Sequence, residues 1–309
     1  MSEDALWPRA SAWLTAGTEA SRAAVEAGDS GPLDHAVDVA VLGVQAHQTS
    51  ISPTGANTTP AAVRDALKRY STWSWAHGLD VGQLSVHDFD DVTDPDTPAG
   101  EKLTSALTAF ATETARLTLV IGGDNSVTYA AMMGAAPDLS RSALITLDAH
   151  HDLRDGVSNG SPVRRLIEAG LPGNRVVQIG IADFSNSPEY AKRARDLGVH
   201  VIPRAALRTR SAAEVWAEAL DQVRDAEVIY VDIDVDVCDR AEVPACPAAA
   251  PGGISGDELR QFAFLAGNTP KVNCIDLTEI DASNDSPDQR TIRLAALVML
   301  EACAGLASR

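Results

Sequence analysis

Short apolar runs alternate with longer alanine-rich stretches along most of the chain. The runs are rich in Val, Ile and Leu, whereas the stretches between them carry apolar residues at helical spacing. Eight strands are predicted, at Val37–Val44, Gln83–His87, Leu117–Ile121, Ala143–Asp148, Arg175–Ile181, His200–Pro203, Val228–Asp234 and Val272–Glu279. Helices are predicted at Pro60–Tyr70, Leu103–Ala115, Glu189–Leu197, Ala213–Val223, Gly256–Ala266 and Thr291–Ala304. Connections of helical length favour parallel pairing of the strands.

The alternation continues without an internal repeat or a low-complexity segment. Two stretches that contain Gly or Pro, Gln48–Thr59 and Asp91–Gly100, read as loops within it, so neither separates two cores. The first is long enough to have a functional role. We therefore expect an α/β fold formed by residues 1–309 as a single domain. Its eight-stranded, mostly parallel sheet is expected to be flanked by helices in three layers.

The composition excludes several classes of protein. A hydrophobic content of 45% in 309 residues is ample for a buried core, which excludes global disorder. A formal net charge of -18 opposes binding to nucleic acid or to an anionic membrane surface. No apolar run has the roughly 20 residues that a membrane-spanning helix needs. We expect a cytoplasmic protein with a small-molecule substrate.

The cysteines give no lead to the function. All four lie in the C-terminal third and lack CxxC spacing. Several stand in apolar sequence, so we expect buried, reduced thiols and neither metal ligands nor nucleophiles.

Acidic and polar clusters follow four of the predicted strands. In an open parallel sheet, ligands bind beyond the carboxyl ends of the strands, which makes these clusters candidates for a site. Asp148, His150 and Asp152 are spaced two residues apart, and Asp234 and Asp236 repeat that spacing on another strand. If the strand geometry continues, each set projects to one face.

Two interpretations of these clusters are open. Alternating Asp residues often mark the solvated face of a strand. Here, however, both clusters follow strands that read as buried on both faces. Several buried carboxylates without a cation would be very costly, and a bound divalent ion would compensate them. Carboxylates with one imidazole and no thiolate suit Mn²⁺ better than structural Zn²⁺.

Four ordered blocks of the chain resemble the ureohydrolase family, which includes arginase, agmatinase and formimidoylglutamase. One block, Gly122–Ser126, reads GGDNS where the family has GGDHS, and another, Asp148–Asp152, matches the family's DAHxD. A third resembles the DxDxxD-to-PGG block, and the fourth begins with the last acidic cluster. The third block comprises Asp234–Asp239 with Pro244 and Pro251–Gly253. The fourth comprises Asp276–Glu279 with Thr291. The resemblance implies an arginase-like fold and a homo-oligomer, either a trimer or a hexamer.

The resemblance also implies a site for two Mn²⁺ ions per subunit. Counting back from Pro244 and the Gly252–Gly253 pair selects Asp234 and Asp236 as ligands and leaves Asp232 out. The complete implied set is Asp148, His150, Asp152, Asp234 and Asp236, with Asn125 at the position of the family's first metal-binding His. Because an amide oxygen is a poorer ligand than imidazole, one ion is expected to bind weakly.

Within the family, the sequence around Arg154 and Asn159 looks more like formimidoylglutamase than arginase. Asn159 stands where agmatinase-like relatives have a His, so it cannot act as a titrating proton shuttle. The implied substrate, N-formimidoyl-L-glutamate, has one amidinium and two carboxylates. Glu279 is expected to hold the amidinium and Arg154 a carboxylate. Alternatively, Arg154 is a surface residue paired with Asp155, and Asn159 is a turn residue before Gly160.

The implied reaction is metal-assisted hydrolysis to L-glutamate and formamide, as in histidine degradation. Metal ions lower the pKa of a water molecule, and Asp152 is expected both to ligate metal and to orient the resulting hydroxide. One rival is an amidinohydrolase for agmatine or guanidinobutyrate. Another is a metal-poor homologue that has lost catalysis, which Asn125 makes conceivable. A nucleotide-binding Rossmann module is disfavoured because the Gly122–Gly123 loop lacks GxGxxG spacing.

Two further histidines are expected to be structural. His151 alternates away from His150, and His47 reads as a polar loop residue, although the loop that follows it could bring it to the mouth of a pocket.

Overall fold

In a computed structural model, which describes residue 4, residues 6–26 and residues 37–309, the main element is one parallel sheet. Eight strands form it: β1 (Val37–Val44), β4 (Val86–Val92), β5 (Ala115–Ile121), β6 (Ser142–Leu147), β7 (Val176–Ile181), β8 (His200–Pro203), β9 (Val228–Asp234) and β10 (Val272–Thr278). A separate short hairpin pairs β2 (Trp73–Ser74) with β3 (Leu79–Asp80).

The order of the strands in the sheet is β4-β1-β5-β10-β9-β6-β7-β8. Every neighbouring pair is parallel. The carboxyl ends of all eight strands therefore lie at one edge of the sheet, where parallel α/β folds bind their ligands. The four strands that precede the acidic and polar clusters, β5, β10, β9 and β6, are consecutive at its centre.

Helices cover both faces of the sheet in the described part of the chain. They are α1 (Ala10–Glu26), α2 (Thr59–Ala66), α3 (Pro98–Thr114), α4 (Val127–Ala135), α5 (Pro162–Glu168), α6 (Pro188–Leu197), α7 (Ala212–Gln222), α8 (Gly256–Asn268) and α9 (Arg290–Ala307). One apolar layer packs α1, α2, α7, α8 and α9 against the sheet, and the other packs α4, α5 and α6. On β9, Val231 faces the first layer and Tyr230 the second, so the strand is buried on both sides. The three-layer α/β architecture is confirmed.

The prediction of a strand at Gln83–His87 was wrong in its position. Gln83 ends a 3-10 turn, and β4 runs from Val86 to Val92. The acidic residues of β4 interrupt the apolar pattern that predicts a strand. Asp88 and Asp91 can nevertheless lie in this edge strand, because they bind Arg64 of α2. The loop expected at Asp91–Gly100 is correspondingly shorter. It ends where Thr97 caps α3 by accepting a hydrogen bond from the Gly100 N–H.

The structure also contains elements that periodicity did not predict: α1, α4, α5 and the hairpin of β2 and β3. Helix α4 is apolar nearly all round because it packs between the sheet and α3, so it has little amphipathic signal. Helix α5 has only seven residues, fewer than two full turns. No helix among the described residues has both the length and the apolar character to cross a membrane.

Candidate metal centre and cleft

The loops after the four central strands meet above the carboxyl edge of the sheet. Residues 122–126 follow β5, residues 148–161 follow β6, and residues 235–237 and 279–281 follow β9 and β10. The pairing of the strands fixes the distances between these loops. For example, Asp232 of β9 pairs with Thr146 of β6 on one side and with Asp276 of β10 on the other. Blocks that are more than 20 residues apart in the sequence are therefore brought together by the sheet order alone.

The first loop is held against the end of β1 at Gly123. A Cβ atom at this position would lie 1.9 Å from the carbonyl oxygen of Ala46, so only glycine fits. The neighbouring Asp124 N–H donates to that same oxygen at 3.0 Å. This close approach fixes the backbone that carries Asn125 into the site.

Asp148 and His150 enter the site from the end of β6. The Asp148 side chain accepts a hydrogen bond from the His150 backbone N–H at 2.6 Å, which bends the loop over the end of the strand. Two residues later, Asp152 adopts a left-handed backbone with φ of 50°. For a non-glycine residue this conformation is costly and is typical of functional sites.

Asp234 and Asp236 enter from the end of β9. Asp234 accepts the Asp236 N–H at 2.8 Å, and the Asp236 carboxylate lies 2.6 Å from Nδ1 of His150. Asp232 lies below them at the level of Asp276, fully buried and outside the cleft. The arrangement agrees with the choice of Asp234 and Asp236 as ligands, which remains a prediction.

Three of these groups are close enough to share one metal ion. Among the described residues, candidate ligand atoms of Asp148, His150 and Asp236 all lie within 4.8 Å of one another. One oxygen of Asp148, Oδ2, is buried and has no hydrogen-bond partner within the described chain. A buried carboxylate oxygen without a partner is costly, and a divalent cation would compensate it. The residues therefore fit the metal that the sequence predicts.

Asp152 and Asp234 complete the acidic set beside this group. Both are buried and line the same cleft. Burial raises the pKa of each carboxyl well above its ordinary value, and the charge of Asp148 raises both further. Burial and Asp236 likewise raise the pKa of Asp148 to about 7. Burial would lower the pKa of His150, but Asp236 and Asp148 raise it to about 11. Without a cation, the site holds protons near neutral pH.

A cleft of about 300 Å³ opens onto these residues. Glu279 lies in its lining with a left-handed backbone, φ of 61°, and burial raises the pKa of its carboxyl to about 8. Its Oε1 atom accepts the Asn125 backbone N–H at 3.1 Å and the Asn159 side-chain amide at 2.5 Å. Asn159 in turn accepts the Ile51 N–H at 3.0 Å, which ties together two loops of the cleft.

Arg154 also lines the cleft, and its side chain is exposed. The pairing with Asp155 that was an alternative from the sequence is not formed, because Asp155 lies 2.8 Å from Arg193 instead. Within the described chain Arg154 has no ion pair. Its guanidinium is therefore available to an anion in the cleft, as its predicted role requires.

The side-chain amide of Asn125 contacts Asp152 and two threonine hydroxyls, and Asn125 is not part of the cleft lining. His151 is buried against Gln178, 2.7 Å from its side-chain oxygen, which supports a structural role. His151 still lines part of the cleft, whereas His47 does not and lies 3.0 Å from the Gln45 carbonyl oxygen.

Several cleft residues were not predicted from the sequence. The loop after His47 reaches the cleft through Ser50–Ser52, and the loop before α6 reaches it through Ser185–Ser187. Asn186 binds two backbone groups of the loop that follows β6. Its side-chain amide donates to the Ala149 carbonyl oxygen, and its side-chain oxygen accepts the His151 N–H. The polar loop between β7 and α6 was the available signal, since it follows a strand of the same sheet. The four cysteines are all free and buried, as expected.

The metal-free protein is expected to lose stability as the pH rises from about 5.5 to about 8. Asp148 and Glu279 have folded pKa values of about 7 and about 8, above their ordinary values. The folded state therefore keeps protons that the unfolded chain has released, and this stabilisation is lost as the pH rises through those values. Because metal binding needs deprotonated ligands, Mn²⁺ should raise Tm more at about pH 8 than at about pH 5.5. Thermal denaturation with EDTA or with Mn²⁺ measures the difference, and an equal increase at both pH values would contradict it.

The comparisons with known proteins agree with this geometry. The model of the arginase family matches residues 37–305. A formimidoylglutamase of Halalkalibacterium halodurans is 36% identical over 270 residues, which are 84% of each chain. The crystal structure of the Bacillus subtilis formimidoylglutamase superposes with a TM-score of 0.83 at 31% identity, over 89% of this chain and 88% of that one. A Trypanosoma cruzi formiminoglutamase solved with Mn²⁺ gives a TM-score of 0.81 at 25% identity, over 88% and 94% of the two chains.

Proposed function

The chain belongs to the arginase family, and from this premise we propose that it hydrolyses N-formimidoyl-L-glutamate to L-glutamate and formamide. It is a hydrolase that acts on amidine C–N bonds. The substrate assignment agrees with relatives named formimidoylglutamase at 36% and 34% identity over most of the chain. This reaction fits a step of histidine degradation in which the formimidoyl group is removed from glutamate.

The observation that carries the substrate assignment is the charge distribution of the cleft. Buried carboxyl groups of Asp152, Asp234, Asp236 and Glu279 line it together with the exposed guanidinium of Arg154. A substrate with a cationic amidine and anionic carboxylates complements both signs of charge. Of the two rival substrates, agmatine has no carboxylate for Arg154, whereas guanidinobutyrate has one and is distinguished by the turnover assay.

We propose that the site holds two Mn²⁺ ions. Asp148, His150 and Asp236 would hold one ion. The family resemblance assigns Asp152 and Asp234, which line the same cleft, to the metal centre as well. The donors are five carboxylate or imidazole groups without a thiolate, a set that suits Mn²⁺. When bound, the ions supply a nucleophile at neutral pH by lowering the pKa of a water molecule. The intact Asp148–His150–Asp236 group argues against the metal-poor, inactive alternative.

The residues of the chain orient the reaction. Glu279 binds the planar amidinium with a charge-assisted hydrogen bond and fixes the formimidoyl carbon in the cleft. Asn159 donates to Glu279 and so restricts the position of its carboxylate. Asp152 would orient the nucleophile toward that carbon by accepting its hydrogen bond. The bond from carbon to the glutamate nitrogen would then break as Asp152 passes the hydroxyl proton of the tetrahedral adduct to this nitrogen, which releases formamide and L-glutamate.

A turnover assay tests the proposal directly. Purified protein with added Mn²⁺ is offered N-formimidoyl-L-glutamate, arginine, agmatine and guanidinobutyrate at equal concentration. We expect formamide and glutamate from the first substrate and little or no product from the others. Urea from a guanidino substrate, without turnover of the formimidoyl compound, would establish the amidinohydrolase alternative.

Replacing Arg154 with Ala is expected to reduce kcat/KM for N-formimidoyl-L-glutamate by about 10- to 150-fold. The change leaves a substrate carboxylate without its charge-assisted partner, a loss of about 1.5–3 kcal/mol. Arg154→Lys should recover only part of the activity, because lysine keeps the charge but lacks the planar fork. Steady-state kinetics measure both variants, with Mn²⁺ content as the control. Unchanged kinetics for Arg154→Ala would remove Arg154 from the binding residues.

Two further proposals concern the protein as a whole. The family resemblance supports a homo-oligomer, a trimer or a hexamer, which light scattering on purified protein measures. It also supports a cytoplasmic enzyme whose single domain spans residues 1–309 and whose partner is a small-molecule substrate.

A further inference from the structure

The loop between β6 and α5 carries two residues of the cleft near its two ends. Arg154, which we assign to a substrate carboxylate, lies near its start, and Asn159, which donates to Glu279, lies near its end. The Arg154 N–H donates to the Gly160 carbonyl oxygen at 3.0 Å and so closes the loop. Residues 154–157 are exposed, so burial does not fix the position of this stretch. Hydrogen bonds to the rest of the protein must fix it instead.

Two arginines outside the cleft bind the backbone of this loop. Arg164 of α5 donates through Nε to the carbonyl oxygen of Arg154 at 2.6 Å and through Nη2 to that of Gly156. Arg193 of α6 donates through Nη1 to the carbonyl oxygen of Leu153 at 2.7 Å. Neither arginine is among the residues that line the cleft. Three carbonyl groups of the loop are thus held by two cationic side chains that a substrate in the cleft does not touch.

Of the two arginines, Arg164 restrains the exposed stretch more strongly. Its planar guanidinium presents N–H donors in fixed directions, so Nε and Nη2 hold two carbonyl groups in one geometry. The remaining nitrogen, Nη1, pairs with Glu168 one turn further along α5. The Arg164 side chain is 15% exposed, which partly shields these charge-assisted hydrogen bonds from water. The Arg193 side chain is 38% exposed, and its Nη1 is shared between Leu153 and Asp155.

The contact with Arg164 bears on recognition because it fixes the backbone that carries the Arg154 side chain. The stem of that side chain lies against Gly160, where a Cβ atom would be 2.7 Å from Cδ of Arg154 and 3.1 Å from Cδ1 of Ile51. A long exposed side chain loses rotamer freedom when it binds an anion. Anchoring its backbone and its stem beforehand reduces that entropic cost.

We propose that Arg164 is a positioning residue for Arg154 and that it thereby sets the preference of the cleft for substrates with a carboxylate. The proposal rests on the proposed function for the anion that Arg154 meets. The substrate carboxylates take no part in bond breaking, so they are bound equally before and during the reaction, and a weaker contact appears in KM. Arg164 contacts Asp152 through its backbone N–H, 3.2 Å from the Asp152 carbonyl oxygen, and a side-chain substitution keeps this bond.

The test is a double-mutant cycle, with Arg164→Met and Arg164→Lys made alone and together with Arg154→Ala. Methionine keeps an apolar stem without donors, and lysine keeps the charge without the planar fork. Arg165→Met is the matched control on α5, because Arg165 binds Glu101 at 2.7 Å and lies over the Tyr129 ring. Steady-state kinetics are measured at saturating Mn²⁺. Hydrogen exchange of backbone amides 153–161 in the Mn²⁺-loaded protein measures the order of the loop without substrate.

For Arg164→Met we expect KM for N-formimidoyl-L-glutamate to rise about tenfold, while kcat changes by less than about twofold. Arg164→Lys should recover part of the KM, and Arg165→Met should behave like the wild type. With Arg154 already replaced by Ala, Arg164→Met should change KM by less than about twofold, because both residues act on one contact. The loop amides should exchange faster in Arg164→Met, and its Mn²⁺ content should equal that of the wild type.

Three results would overturn the proposal: an unchanged KM in Arg164→Met, an equal loss with and without Arg154, or exchange in the loop as slow as in the wild type. An equal loss in both backgrounds is the result expected if Arg164 only stabilises the fold. If the wild type failed to hydrolyse N-formimidoyl-L-glutamate, only the proposed function would be rejected. The exchange rates would still decide whether Arg164 holds the loop.

Discussion

Replacing Asp236 with Ala is expected to abolish turnover and to remove most of the bound Mn²⁺. The Asp236 carboxylate lies 2.6 Å from the His150 ring and accepts the Ala149 N–H at 2.9 Å, so it is both a candidate ligand and the anchor of the acidic loop. Its loss leaves His150 and Asp148 without the third member of their group. A metal ion contributes several kcal/mol to transition-state stabilisation, which corresponds to a loss of about 10³-fold or more in kcat.

Asp234→Ala should show the same two losses, because Asp234 is the other acidic residue of β9 that lines the cleft. Asp232→Ala is the comparison on the same strand, and its effect on kcat and Mn²⁺ content should be milder because Asp232 lies beneath the cleft. Metal analysis and steady-state kinetics on all three variants measure this order. If Asp232→Ala equalled Asp234→Ala in both readouts, the ligand pair would be Asp232 and Asp234, and the register argued from Pro244 would be wrong.

Replacing Glu279 with Gln is expected to decrease kcat/KM by about 10²-fold or more. Gln keeps the shape of the side chain and the hydrogen-bond acceptor for the Asn125 N–H, but it removes the charge that binds the amidinium. Leaving a charged group without its partner in a closed site costs about 2–5 kcal/mol. Steady-state kinetics with N-formimidoyl-L-glutamate measure the loss.

The control for Glu279→Gln is the metal content, which should remain that of the wild type, because Glu279 is not one of the proposed ligands. Glu279→Asp keeps the charge on a shorter side chain and should recover only part of the rate, since the geometry of the contact also matters. A Glu279→Gln variant with wild-type kinetics would show that the amidinium binds elsewhere in the cleft.

Much of the fold followed from the order of apolar runs in the chain. Seven of the eight predicted strands overlie observed ones closely, because Val, Ile and Leu in short runs between helices are typical of strands buried on both faces. The exception, β4, is an edge strand with three acidic residues, two of which bind Arg64. Its polar residues are stabilised by a helix from another part of the chain, and no local pattern encodes that contact.

The acidic loops were also predictable, because their ligand-type residues follow central strands at fixed spacing. The other residues that line the cleft were less predictable from the sequence. The length of the loop Gln48–Thr59 indicated a functional role but did not identify Ser50–Ser52, and Ser185–Ser187 come from a loop that looks like an ordinary polar connection. Only the packing of these loops around the acidic residues gives them a place in the site.

The sequence by itself determined the α/β class and the position of the acidic residues at strand ends. These properties depend on local spacing and on the hydrophobic pattern. Only the tertiary structure decided that Arg154 is free of Asp155, that Asn159 holds Glu279, and that the Asn125 amide is turned to Asp152. The two amide contacts join loops according to the strand order β5-β10-β9-β6, which differs from the order along the chain. Asp155 instead pairs with Arg193 of α6, which follows β7. A side chain's hydrogen-bond partners depend on which loops that order brings within about 3 Å, and this distance is set by the assembled sheet rather than by sequence spacing.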